Sequence, residues 1–210
     1  MHIVDGALAN EVVLAGAVIA VAGVGIGLRK LDTERIPVAG VLSATFFVAS
    51  LVHVPIGPTS IHLVMNGLAG LVLGWAAFPA LFVGLVLQAL FFGFGGITVL
   101  GVNTLVIALP AVVAGMACRR GINHENVVVS MAFGLIAGGG AIALTALGVA
   151  AALALSGEPF FAAAQLVLVA HVPIMGIEAL LCASAVYLVR RVKPELFGVL
   201  TSPLGRAAHV

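Results

Sequence analysis

Residues 126–154 read NVVVSMAFGLIAGGGAIALTALGVAAALA and contain no Asp, Glu, Lys or Arg. A helix of about 20 apolar residues is long enough to cross the hydrocarbon core of a bilayer, so this stretch predicts a membrane span. On either side of it, further apolar runs predict spans near 8–28, 38–52, 61–77, 79–93, 103–118 and 161–190. Short polar or Gly/Pro-rich segments separate them, except between the third and fourth runs, where the only break is a kink at Pro79. Charged residues make up 8% of the 210 residues and hydrophobic ones 62%, with mean hydropathy +1.28. Soluble domains carry about 25% charged residues. So few charges cannot cover a water-facing surface, and a soluble globular domain is excluded. The expected fold is all-α: a polytopic membrane helix bundle of about seven transmembrane helices, one domain over 1–210.

Charge placement tests the count. With seven spans and the N-terminus outside, Arg29, Lys30, Arg35, Arg119, Arg120, Arg190, Arg191, Lys193 and Arg206 all fall on the inner side, and these are the nine Lys and Arg of the chain. This is the positive-inside pattern. It places the C-terminus in the cytoplasm, with 194–210 as a cytoplasmic tail, and predicts a multi-pass protein of the cell's inner (plasma) membrane. A six-span arrangement scatters the same charges over both faces. A net charge of +1 excludes a nucleic-acid binder with a basic face. Cys118 and Cys182 lie in apolar runs without a CxxC partner, which argues against a disulfide framework or a zinc knuckle. The chain contains no GxxxxGK[ST] phosphate loop, HExxH or hydrolase-type Ser/His/Asp order, so an enzyme or self-contained ATPase is not expected.

Glycine pairs at Gly23/Gly27, Gly70/Gly74 and Gly134/Gly138 read as close-packing helix faces, either within this chain or toward a second membrane subunit.

Polar residues inside a membrane bundle are costly and mark functional sites. Here they gather at the outer side, in Met-His-Ile-Val-Asp-Gly at 1–6, in His53-Val-Pro-Ile-Gly-Pro-Thr-Ser-Ile-His62, and in the glycine-rich loop from Gly93 to Asn103. His2 is the most informative. No secretory signal pattern precedes the first span, and His2 is too bulky for removal of the initiator residue, so Met1 is expected to keep a free amine. That amine, the His2 amide nitrogen and the His2 imidazole occupy consecutive chelate positions, closing a five-membered and then a six-membered ring with a metal. A fourth nitrogen completes a plane that suits Ni(II) or Cu(II), with Co(II) a weaker match.

His62, at the mouth of the third span, is the best fourth ligand. His53, Thr59, Ser60 and Asn103 are candidates to orient the imidazoles by hydrogen bonding, or to serve as turn and capping residues. His171 and Glu178 lie seven residues apart on nearly one face of the last span. They read either as polar elements of an ion pathway or as an inter-helix hydrogen-bond staple. Asp5 reads as an attractor of cations or a cap of the first helix.

The start MHIVDGAL, the loop HVPIGPTSIHL, the stretch QALFFGFGGITVLGVNT and the segment AHVPIMGIEAL together resemble the CbiM/NikM family, the substrate-binding (S) components of energy-coupling factor transporters for cobalt and nickel. The resemblance runs from Met1 to about Lys193. It implies seven transmembrane helices and an N-terminal segment, 1–7, tucked into the bundle from outside. It also implies metal bound by the Met1 amine, the His2 amide and imidazole, and His62. Co(II) or Ni(II) is then the transported substrate and not a resident cofactor. The implied partners are a transmembrane coupling (T) subunit, ABC ATPase subunits, and often a small accessory membrane protein. Two positions depart from relatives: Phe94 stands where an acid can occur, and His53 where some have Asn. The rival readings are a self-sufficient carrier or channel using His171 and Glu178, and a membrane metal sensor.

Overall fold

The structure, a computed structural model, describes residues 2–51, 53–56 and 58–198. Met1 and the tail from 199, including Arg206, lie outside the described residues. Helices dominate: α1 (Asn10–Arg29), α2 (Ile36–Ala49), α3 (Asn66–Leu73), α4 (Ala77–Phe92), α5 (Leu100–Ile122), α6 (Val127–Leu155), α7 (Phe161–Ala170) and α8 (Val172–Val192). Among the described residues, five helical segments are long and apolar enough to cross a membrane: Asn10–Arg29, Asn66–Phe92, Leu100–Ile122, Val127–Leu155 and Glu158–Val192. The chain is a multi-pass membrane protein.

Of these, Asn66–Phe92 is not one straight rod. Its 27 residues would extend about 40 Å as a continuous helix. Yet His62, just before it, and Gln88, near its end, both touch His2. The chain therefore turns back on itself, at Gly74, whose φ of 56° and ψ of −126° suit a residue without a side chain. The sequence predicts this break at Pro79. Instead Pro79 sits in the first turn of α4, where a missing N–H costs no helix bond. The break in the last predicted span, by contrast, lies at His171. Pro173 lies in the first turn of α8 and is incompatible with a continuous helix through this point.

The bundle has two unlike ends. At one, Lys30 lies 5.7 Å from the Trp75 ring, and Arg35 Nη1 donates to the Val72 carbonyl at 3.2 Å. Arg190 Nη1 donates to the His124 carbonyl at 2.6 Å. Arg119 lines a cavity there with Arg35, Gly74 and Phe197. The other end carries the polar segments and, against an all-α expectation, a small antiparallel sheet of β1 (His2–Ile3), β2 (His53–Ile56) and β3 (Thr59–His62) in the order β1-β3-β2. Its β-branched residues favour extended backbone, and Pro55 is tolerated because β2 is an edge strand. The sequence places His62 at the mouth of the third span. It ends a strand instead, and α3 begins only at Asn66.

The predicted glycine faces turn inward except at Gly74, which lies in the turn after α3 with open space where a Cβ would stand, so Gly70/Gly74 is not one packing face. A Cβ at Gly23 would meet Phe78, one at Gly134 would approach Ala183, and one at Gly70 would overlap the Ala111 carbonyl. Helices α3 and α5 therefore touch backbone to backbone, a contact that in lipid supplies much of the association energy.

Candidate metal centre

Residues 2–5 cross the polar end of the bundle as an extended segment held on three sides. His2 pairs with Ser60 and Ile3 with Thr59 across the β1–β3 ladder, and the Thr59 hydroxyl donates to the His2 carbonyl at 2.8 Å. The Asn103 side chain clamps Ile3 from α5. Its Oδ1 accepts from the Ile3 amide at 2.9 Å, and its Nδ2 donates to the Ile3 carbonyl at 3.0 Å. The Asp5 amide donates to the Gly95 carbonyl at 2.8 Å. The Asp5 carboxylate accepts from the Thr98 hydroxyl at 2.5 Å and from the Val99 amide at 3.3 Å. Asp5 thus ties down the chain entering α5, not the start of α1.

This clamp places two imidazoles together in the interior. His2 and His62 are each 2% exposed, with ring centroids 4.6 Å apart. Their protonation follows from their partners. The Ser50 hydroxyl donates to the Phe47 carbonyl at 2.7 Å and so receives the Gln88 Nε2 donor at 2.6 Å. That bond turns Gln88 Oε1 toward His2 Nε2, 2.5 Å away. An amide oxygen only accepts, so His2 Nε2 carries the proton and Nδ1 carries the lone pair. On the other ring, His62 Nδ1 faces the Leu63 carbonyl at 2.7 Å and must donate, which leaves Nε2 with the lone pair. The two remaining nitrogens, His2 Nδ1 and His62 Nε2, face each other at 3.2 Å.

Two lone pairs at that separation repel unless something electron-poor lies between them. Both residues lie in strands, outside the helical spans. Burial pushes each imidazole down to about 4, against weaker upward pulls from Gln88 on His2 and from Leu63 on His62. Near neutral pH no proton neutralises the pair. Aromatic rings wall the site: Phe94 is 5.8 Å from His2 and Phe46 is 6.4 Å from His62. Phe94, where an acid could stand, makes this wall apolar.

The sequence-derived candidates divide. His2, His62, Thr59, Ser60 and Asn103 are brought together. His53 is exposed, its ring set edge-on against Phe94 at 4.3 Å, with no bond to either buried imidazole. Glu178 reaches from α8 to the turn after His62, accepting from the Val64 amide at 2.5 Å and the Met65 amide at 2.9 Å. This is an inter-helix staple, and it holds a turn in which Met65 adopts a left-handed φ of 55°. His171 is buried at the junction of α7 and α8, with Nδ1 donating to the Val167 carbonyl at 2.6 Å. Gln88 and Ser50 were not singled out from sequence. The available signal was a polar residue within an apolar span, at Gln88 in LVLQALFF. Among the described residues no three His, Cys, Asp or Glu side chains gather into one group.

A membrane bundle with two buried imidazoles aimed at one point belongs to the class of membrane proteins that handle transition metals. The comparisons name the family. The model of the cobalt uptake substrate-specific transmembrane region, CbiM, matches residues 2–196. A protein of Haemophilus influenzae assigned by name to metal transport is 40% identical over 201 residues, spanning 93% of this chain and 96% of the relative. The fused nickel transport protein NikMN of Rhodobacter capsulatus is 32% identical over 240 residues, spanning 100% of this chain and 67% of the relative. A crystal structure of a transition metal transporter superposes with a TM-score of 0.75 at 25% identity, covering 98% of this chain and 100% of that one. This chain belongs to the CbiM family.

Proposed function

We propose that this chain is the metal-capturing membrane subunit of an ATP-driven importer of cobalt or nickel ions. The observation that carries the reading is the pair of lone pairs on His2 Nδ1 and His62 Nε2, converging at 3.2 Å in the buried interior. With metal–nitrogen bonds of roughly 2 Å, neighbouring corners of a square stand about 2.8 Å apart. A small closure therefore seats both rings on one ion. His2 Nδ1 is also the ring nitrogen that closes a six-membered chelate with the His2 amide, and the bond to Gln88 leaves that nitrogen free. The Met1 amine supplies the fourth corner. The ion is cargo, and the chain carries out no reaction on it.

In this reading the bundle crosses the inner (plasma) membrane seven times, with the segment running from β3 through α3 as one pass, α4 as the next, and α7–α8 together as one. The N-terminus is outside and the C-terminus cytoplasmic, an orientation supported by the basic residues at the end opposite the site. Energy comes from a coupling T subunit and ABC ATPases, with a small accessory membrane protein. Release inward follows when those partners loosen the clamp on residues 2–5. The importer assignment draws on the relatives named for nickel and metal transport.

The test compares the purified chain bearing its native Met1 with a version carrying two residues added before Met1, each offered equal Ni(II) and Co(II). Stoichiometric metal only in the native form is expected, because the added residues displace the amine. Equal loading of both would remove the N-terminal chelate from the site.

A further inference from the structure

His2 and His62 are sealed from solvent, each 2% exposed. Stripping the water from a dipositive ion is prohibitive unless ligands replace it as it leaves. An ion arriving from solution therefore needs a nitrogen or oxygen at the surface before it meets the aromatic wall of the site.

The sheet supplies one. Residues opposed across an antiparallel ladder put their side chains on the same face, as do residues two apart on one strand. His2 is opposed to Ser60, Ser60 and His62 are two apart, and His62 is opposed to His53. Three imidazoles thus rise from one face of three neighbouring strands, in the order His2, His62, His53. His53, on the edge strand, is the exposed member. Its Nδ1 lies 3.5 Å from the Leu51 carbonyl, an acceptor, which leaves Nε2 for a metal.

One side chain stands between the surface imidazole and the buried ones. The Phe94 ring centroid is 4.3 Å from that of His53 and 5.8 Å from that of His2. Phe94 is half-buried, and the next ring outward, Phe92 at 5.4 Å, is exposed. The backbone beneath Phe94 is fixed, since the Gly95 carbonyl holds the Asp5 amide at 2.8 Å. The ring itself is not. Its chain neighbours are Gly93 and Gly95, so no adjacent side chain obstructs its rotation about the Cα–Cβ bond.

We propose that His53 is the entry ligand of the site: a hydrated divalent cation first binds His53 Nε2, then passes to His62 as the Phe94 ring swings aside. The proposal rests on the capture reading above. Opposed residues have Cβ atoms about 5 Å apart, so side-chain rotation hands the ion from one imidazole to the next with the ladder intact. His53 takes no part in the final set. It serves the crossing, replacing one water while the ion still keeps the others.

The experiment uses the full chain with its native N-terminus and Ni(II) alone. Uptake is timed by quenching samples with excess chromogenic chelator, release by transferring loaded protein into the same chelator, and affinity by equilibrium titration. A ligand used only in passage lowers the barrier in both directions and leaves the end states unchanged. His53→Gln should therefore slow uptake and release alike by roughly tenfold, equivalent to about 1.4 kcal/mol of barrier, with affinity within about twofold of wild type. His53→Asp restores an oxygen ligand and should recover most of both rates. Phe94→Ala should speed both. A folded His53→Gln protein with wild-type rates overturns the proposal, as does one in which release alone changes, the mark of a structural effect on the final site. Wild-type rates in Phe94→Ala overturn it as well. A wild type that takes up no Ni(II) refutes the capture reading and the entrance with it, whereas tight wild-type binding at rates indifferent to His53 refutes the entrance alone.

Discussion

Gln88→Leu removes the acceptor that fixes the His2 tautomer while keeping the side chain's bulk. Without metal, the ring has an escape. It can move its proton to Nδ1 and donate to His62 Nε2, 3.2 Å away, so the empty protein loses little stability. Metal binding closes that escape, because the ion needs the Nδ1 lone pair and the proton must return to Nε2. There it faces leucine in a buried site. A buried donor without a partner costs about 1–3 kcal/mol. At about 1.4 kcal/mol per decade of affinity, that weakens the metal complex roughly 5- to 100-fold, the range expected when an imidazole ligand loses its supporting partner. The assay is a competition titration with a chromogenic chelator, for Ni(II) and Co(II) in parallel, alongside metal-free thermal melting. Gln88→Glu retains an acceptor at Nε2 and should recover most of the loss. Wild-type affinity in a folded Gln88→Leu protein would refute the assignment of lone pairs from which the site is built.

Two further outcomes follow from the same geometry. The imidazoles of His2 and His62 titrate near 4 in the folded protein against 6.5 when unfolded, so between those values the unfolded chain binds the extra protons. Metal-free stability should be full above pH 6.5 and fall as pH drops toward 4, by on the order of 2 kcal/mol at pH 5 for the pair; His62→Ala should lessen that fall without abolishing it, because His2 remains, and a wild-type profile already flat there would contradict burial of the neutral rings. Gly70→Ala forces a methyl group into the Ala111 carbonyl, so α3 and α5 must separate; detergent-purified protein should be aggregated or lost, whereas Gly40→Ala, with open space around it, should behave as wild type on size-exclusion chromatography.

The long apolar helices and the two buried histidines were legible in the sequence for different reasons. Membrane helices announce themselves by composition, since the bilayer imposes both length and polarity on them. His2 and His62 stood out because imidazole is rare in such surroundings and because position 2 permits a chelate. The sheet was not legible: HVPIGPTSIHL carries two prolines and two glycine or serine positions that read as loop. Its strand character depends on Asn103 and Gly95, which hold β1 in place from about 100 residues away. The turn at Gly74 was missed because Pro79 is the louder signal, although proline in a first turn is harmless. Gln88 sits in an apolar run whose pattern gives no reason to prefer one helix face, and only the approach of Ser50 and His2 shows what it does. Likewise Glu178 acquires its task from two amides more than 110 positions earlier, a pairing no local pattern contains.

The clamp on Ile3 has a consequence for biogenesis. Residues 2–5 find partners at Gln88, Gly95 and Asn103, with 100 positions separating Ile3 from Asn103. Contacts of such long sequence separation form only after the intervening chain is in place. β1 can pair with β3 once residues 58–60 are in place, but the clamp on Ile3 stays open until the start of α5 arrives. The pocket around His2 and His62 is thus closed only after α1 to α4 have been made.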